Sequence, residues 1–363
     1  MKNKRPEILA YYFPNWHVDP RNEKWHGKGW TEWNVTKCAL PRFPGHKQPK
    51  KPLWGYEDEA DPAVMEKKIE TAAAYGIDGF VFDWYFYANE PYRARCLEEG
   101  LMRATNLNKI KFAVMWCNHN AMQVHPACRA LSCPILCSGA VNPETFRQAT
   151  QYCIEHYFSS PSYLRVDGRL YFSIYHLPQM VEELGGETAA RALFDDFRER
   201  VRQAGLGELH LNAVGVNASS ASFADSRSGH SWGWPQNDIT MDYGIAAEQN
   251  IEAFGQISKD LNLPYNPSIM VGWDSSPRTV QSEIYDPSAG YPFRTILSDA
   301  TPARFEKALR KTQAFINSEE YTGHFLMLHS WNEWTEGTYL EPDEEYKFGY
   351  LEAVRKVFGP VKS

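Results

Sequence analysis

The chain of 363 residues is acidic, with a net charge of −7, and is 43% hydrophobic. That balance, without a long basic run, excludes a nucleic-acid partner and a membrane surface. No stretch reaches the roughly eighteen apolar residues needed to cross a bilayer, and the charged start lacks the apolar region of a signal peptide. Seven cysteines, an odd number in a long chain, do not make a disulfide framework, so a reduced, cytoplasmic protein is expected. Cys128, Cys133 and Cys137 cluster, but without the x2 pairing of zinc knuckles, so no metal is expected.

Read in order, the chain alternates strand and helix. Ile8–Pro14 is a buried strand, followed by some fifty aromatic, glycine-broken residues without periodicity. A loop that long and that aromatic is read as an ordered cover over the active-site face. Asp61-Pro62 caps a helix over Ala63–Tyr75, which Gly76 stops. Strand Gly79–Trp84, helix Tyr92–Thr105 and strand Lys111–Trp116 follow, then helix Pro143–Phe158 and strand Arg169–His176. Helix Thr188–Gln203 precedes strands Leu209–Val216 and Ile239–Tyr243, the latter weaker, and helix Ile245–Leu261. Strand Ser268–Trp273, helix Pro302–Asn317, strand His324–Ser330 and helix Lys347–Phe358 complete the chain. Each strand is a continuous apolar run, the mark of a parallel sheet covered on both faces. Eight such units, without a Gly-x-Gly-x-x-Gly after the first strand, predict an α/β fold: a single (β/α)8 TIM barrel spanning 1–363.

In a barrel, the polar residues just past each strand face one pocket. They include Trp16, Asp83, Tyr85, Trp116, Asn118, His119, Asn217 and Trp273. The richest stretch is Ser330-Trp331-Asn332-Glu333-Trp334-Thr335-Glu336-Gly337. If the chain turns helically after Glu333, Glu336 falls on the same side, with Cβ atoms about 5–6 Å apart. Paired carboxyls of retaining glycosidases stand at a similar separation, about 5–5.5 Å. Trp331 and Trp334 are expected to wall a sugar ring and Asn332 to bond a hydroxyl. With 12 Trp and 20 Tyr, the chain is rich in the flat apolar faces that carbohydrate sites use. No nucleophile elbow, zinc-binding His pair or phosphate loop competes, and no cofactor is called for.

Several segments carry a resemblance. Lys28-Gly29-Trp30-Thr31-Glu32-Trp33, Arg42-Phe43-Pro44-Gly45-His46-Lys47-Gln48-Pro49, Tyr75-Gly76-Ile77-Asp78-Gly79-Phe80 and Trp331 to Gly337 with Leu340-Glu341-Pro342 stand out. They resemble the WbsX-like proteins, relatives of glycoside hydrolase family 99, the endo-α-mannosidase family. The resemblance implies a barrel acting on glycosides, with Glu333 assisting the sugar 2-hydroxyl and Glu336 as acid/base. It implies retention through a 1,2-anhydro sugar, which needs a 2-hydroxyl trans to the leaving group, as in α-mannosides. For that chemistry Glu336 is expected to be raised in pKa and Glu333 kept ionised. The chain departs from the family after the third strand, where Trp116-Cys117-Asn118-His119-Asn120 replaces a Trp-Ala-Asn-Glu-Asn pattern. The expected function is hydrolysis of a mannoside-like oligo- or polysaccharide. A glycosyltransferase on the same barrel and a non-catalytic carbohydrate-binding protein are the alternatives.

Overall fold

The computed structural model describes residues 5–215 and 221–359. The barrel strands are β1 Glu7–Tyr12, β2 Gly79–Tyr87, β3 Lys111–Trp116, β4 Arg169–Ile174 and β5 Leu209–Val214. They continue as β6 Ser226–Ser228, β7 (Tyr265–Asn266 and Ser268–Met270, split at Pro267) and β8 Phe325–His329. All neighbours pair in parallel: Ala10 of β1 sits opposite Phe80 of β2 and Leu328 of β8. The first half of β7 pairs with β6 and its second half with β8, so the nine strand segments run round into a parallel barrel. All nine residues of β2 are buried, as a strand with barrel core on one side and helices on the other requires.

The outer helices start where the sequence places caps. In α3, Pro62–Ala74, the Asp61 carboxylate accepts from the Ala63 N–H. Asn142 does the same for Thr145 in α4, Pro143–His156, and Thr301 for Arg304 in α9, Pro302–Ile316. Between them lie α5 Leu177–Glu183, α6 Glu187–Gln203, α7 Tyr243–Glu252 and α8 Phe254–Leu261; α10 is Gly349–Phe358. The segment between β1 and α3 carries two short helices, α1 Pro20–His26 and α2 Trp33–Cys38.

Three expectations need correction. Thr240–Asp242, within the expected strand Ile239–Tyr243, pairs with Ile296–Ser298 outside the barrel. The sixth barrel strand is instead Ser226-Arg227-Ser228, whose polar residues carry no apolar-run signal. Its hydroxyls bond inside the barrel, Ser226 and Ser228 both donating to Asn212. The fifth and sixth strands are therefore joined, among the described residues, only by the short turn Ala221–Phe223 rather than a helix. Tyr92–Thr105 is not an α-helix but a π turn over Cys96–Gly100 and a 3₁₀ turn over Leu101–Arg103. There Gly100 lies against the Glu59 carbonyl, 2.1 Å from where a Cβ would stand. Finally, the helix expected over Ile245–Leu261 is two helices that meet at Ala253.

Candidate active site

The chain leaves β8 and makes a two-residue antiparallel ladder, Asn332–Glu333 against Thr338–Tyr339. Trp334–Glu336 is the 3₁₀ turn between them, and Gly337 closes it at φ 62. A side chain at Gly337 would be strained by that φ and would meet Asp274 at 2.8 Å. The turn is pinned to the loop after β7, where the Asp274 N–H donates to the Glu336 carbonyl at 2.6 Å. Asp274 is in turn held by His46 at 2.8 Å and by the Gln48 amide at 2.6 Å, both from the N-terminal segment.

That loop delivers Arg278, which is 4% exposed and joins the two glutamates. Its Nη1 donates to Glu336 Oε1, and its Nη2 to Glu333 Oε1 at 3.2 Å and to Glu32 Oε1 at 2.9 Å. The Tyr291 hydroxyl donates to the same Glu336 oxygen at 2.8 Å. Glu32, from the segment before α2, also takes a bond from the Asn15 amide at 2.5 Å and lies 3.2 Å from His125.

Glu333 and Glu336 both line a cavity of about 530 Å³ at the carboxyl ends of the barrel strands. Its polar wall also includes Asp83, His119, His230, His329, Arg93 and Arg294. Buried polar atoms of these walls without a hydrogen-bond partner among the described residues include Asp83 Oδ1, Arg93 Nε, the Nδ1 atoms of His230 and His329, and Trp273 Nε1. Such atoms are costly to bury alone and are the kind a polyhydroxylated ligand satisfies.

The profile of the family described as Glycosyltransferase WbsX matches residues 8–354. The chain belongs to the WbsX family. It is 25% identical to the uncharacterized protein WxcX of Xanthomonas campestris over 372 aligned residues, 96% of this chain and 49% of WxcX. This WbsX-family chain thus spans about half the length of the curated relatives it matches. Among solved structures, a glycoside hydrolase-like protein superposes with a TM-score of 0.65 at 14% identity, covering 99% of this chain and 96% of the other. A GH99 endo-alpha-mannosidase from Bacteroides thetaiotaomicron superposes at 0.57 with 16% identity, covering 97% and 96%. At those identities the structures show the shared fold, a barrel of the glycoside hydrolase type.

The WbsX-family site differs from the sequence expectation in its aromatic walls. Asp83, Tyr85, His119, Trp273, Glu333 and Glu336 line the cavity together. Trp331 and Trp334, expected as walls, are fully buried behind it, their indole N–H groups donating to the two oxygens of Glu341 at 2.9 and 2.7 Å. Asn332 bonds the backbone of Phe13 and the Glu59 carboxylate rather than a ligand. Trp16 packs on Trp33 with ring centres 4.0 Å apart. Trp116 points outward to Phe146 of α4, while its neighbours Met115 and Cys117 line the cavity, because strand side chains alternate faces. Asn118 is spent on the backbone of His176, bonding both its N–H and its carbonyl. Asn217 lies outside the described residues.

Sequence reasoning missed Arg278, Tyr291 and Arg294, which sit in loops without periodicity, and Arg93, which fell inside the expected helix Tyr92–Thr105 but follows the strand Glu90–Tyr92. Glu32 was visible only as part of the quoted Trp30-Thr31-Glu32-Trp33 segment. Of the cysteines at 128, 133 and 137, the Cys128 thiol donates to Glu283 at 2.9 Å, and Cys137 pairs through its backbone with Ala121. Among the described residues no group of three or more His, Cys, Asp or Glu is arranged to hold a metal.

The electrostatics of the pair also correct an expectation. Burial, then the facing Glu336, pushes Glu333 well above the usual carboxylate range. Burial raises Glu336 too, but Arg278 and the Tyr291 hydroxyl pull against it. Both carboxyls are thus raised, where the expectation was a raised Glu336 beside an ionised Glu333. Burial also raises Asp83, with help from Glu336, to about 8. Glu32 goes the other way: burial pushes it up, but His125 and Arg278 more than offset that and hold it well below the usual range.

Proposed function

We propose that this chain is a retaining glycoside hydrolase acting on a 1,2-trans, mannoside-like oligo- or polysaccharide. The observation that carries the reading is the Glu333–Glu336 pair, bound to one guanidinium and open to one cavity at the carboxyl ends of the barrel. Glu336, its pKa raised by burial, gives a proton to the leaving oxygen and later takes one from water. Glu333 receives the proton of the sugar 2-hydroxyl as that oxygen attacks the anomeric carbon and closes a 1,2-anhydro ring. Water then opens the ring with a second inversion while Glu333 returns its proton to the 2-oxygen, so configuration is retained and both carboxyls are restored. A sugar hydroxyl donating to Glu333 stabilises its charged form and draws its pKa down, which fits the raised carboxyl to a basic role. Tyr291, a residue 48% exposed that lines the cavity with its hydroxyl on Glu336, supplies an aromatic surface for the sugar. The seven cysteines, all unpaired, support a reducing, cytoplasmic setting. No helix among the described residues is long and apolar enough to cross a membrane.

The Glu336→Gln variant tests the assignment. Turnover of an unactivated α-mannoside oligosaccharide is expected to fall about 10²–10⁴-fold, the span of general acid catalysis. A loss within about tenfold removes Glu336 from the acid role. The family description favours a second reading, glycosyl transfer on the same barrel. Product analysis with acceptor sugars present separates the two, since a transferase makes a new glycoside where a hydrolase makes the free sugar.

A further inference from the structure

The cavity holds three arginines, and they are not equivalent. Arg278 is fully engaged by Glu32, Glu333 and Glu336. Arg93 and Arg294 line the same cavity, and among the described residues neither has a carboxylate within ion-pair distance. Aromatic faces hold them instead. The Arg93 guanidinium lies 4.6 Å from the Tyr92 ring centre and 5.1 Å from those of Tyr85 and Phe13. Arg294 lies 4.5 Å from Trp234 and 5.1 Å from Trp273. A guanidinium sandwiched against rings keeps its edge N–H groups available, and Arg93 Nε is buried without a partner.

The backbone around Arg93 points the same way. Arg93 sits at φ 60, in the left-handed region that non-glycine residues rarely adopt, just after the Tyr85–Tyr87 and Glu90–Tyr92 hairpin. Strain of that kind collects where a side chain must be aimed at a ligand. Three histidines line the cavity near Arg93: His26, His119 and His125. Burial, and to a lesser degree the Arg93 charge itself, lowers the pKa of each. The His119 ring already bonds the Asn120 carbonyl at 3.0 Å and the His125 ring lies 3.2 Å from Glu32, so these imidazoles add little positive charge and Arg93 is the cation on this side of the cavity. Of the carboxyls lining the cavity, Asp83 belongs to this side and is held protonated up to about pH 8.

We propose that the cavity receives an acidic saccharide, whose carboxylate or phosphate group is bound by the Arg93 guanidinium. The inference rests on the glycoside reading above and names the class of substrate it would take. Guanidinium forks match both groups through paired N–H donors, and aromatic faces beside them suit the attached ring.

Affinity tests this without turnover. Isothermal titration on the Glu336→Gln protein would use methyl α-mannoside, methyl α-mannuronoside and mannose 6-phosphate. One of the two charged probes is expected to bind roughly ten- to hundredfold more tightly than the neutral one, the span of a charge-assisted bond. Which of the two wins separates a carboxylate-bearing from a phosphate-bearing substrate. Arg93→Gln should shrink the ratio to about threefold or less, and Arg93→Lys should keep part of it. Raising salt from about 50 to about 500 mM should narrow the ratio in the Glu336→Gln protein itself, a readout that needs no substitution at Arg93. Equal affinity for neutral and charged probes overturns the proposal, as does a ratio that survives Arg93→Gln. The glycosidase reading fails differently: no turnover in the native chain, with the preference for the charged probe intact.

Discussion

Lys68→Met probes the scaffold that holds the glutamate turn in place. Lys68 projects from α3 and is 1% exposed. Its ammonium bonds Glu59, and Glu341 at 2.5 Å, two carboxylates that are 0% and 3% exposed. Glu341 then accepts from the indoles of Trp331 and Trp334, and Glu59 from the Asn332 amide at 2.9 Å. One lysine thus lies behind three of the four residues from Trp331 to Trp334. Methionine keeps the apolar stem and removes the charge, leaving two buried acids facing one another. Breaking a buried ion pair from one side costs about 3–5 kcal/mol. Part of that loss is avoided if one acid takes up a proton, and burial already raises Glu59.

The sign follows from that uptake. A carboxyl whose folded pKa exceeds its unfolded value binds a proton on folding. Its stability contribution is therefore lost as pH rises from the unfolded value toward the folded one, at up to about 1.4 kcal/mol per pH unit. The deficit of Lys68→Met should accordingly grow from about pH 5 to about pH 8. Urea titrations of parent and variant at those two pH values measure it. A loss under about 1 kcal/mol at the higher pH, or an equal deficit at both, would refute the account of the triad.

Asp83→Asn reads the raised carboxyl directly. Because burial holds Asp83 near 8, its folded-state penalty accrues as pH rises from about 4 toward 8. The asparagine variant should gain stability relative to the parent across that range, by up to several kcal/mol, in thermal melts at the two ends; a constant difference would contradict it. Trp334→Phe removes the N–H that Glu341 accepts at 2.7 Å and should cost about 1.5–3 kcal/mol of stability. Its KM should stay within about threefold, since Trp334 does not line the cavity; a tenfold rise in KM without loss of stability would return Trp334 to the sugar wall. Glu336→Gln and Arg93→Gln complete the set, with turnover and probe affinity as their readouts.

Much of this protein could be read from local pattern alone. The apolar runs at 7–12, 79–87, 111–116 and 325–329 became barrel strands because a parallel strand is buried on both faces and must be apolar throughout. Asp61-Pro62, Asn142-Pro143 and Thr301-Pro302 set helix starts because the cap bond and the proline both act within one turn. The Glu333–Glu336 spacing was legible for the same reason, as a single turn places both acids on one side. What tertiary structure alone decided was what each polar group meets. The strand Ser226–Ser228 exists because Asn212 satisfies its hydroxyls across the barrel. Trp331 and Trp334 face Glu341 rather than a ligand because Lys68, some 260 residues earlier, places a charge there to hold that carboxylate. Arg278 reaches the glutamates from an irregular loop, held to their turn by one backbone hydrogen bond between Asp274 and Glu336. Periodicity reports which side of an element is apolar; it carries no record of which distant charge will neutralise a buried acid, and in this cavity that pairing sets the chemistry.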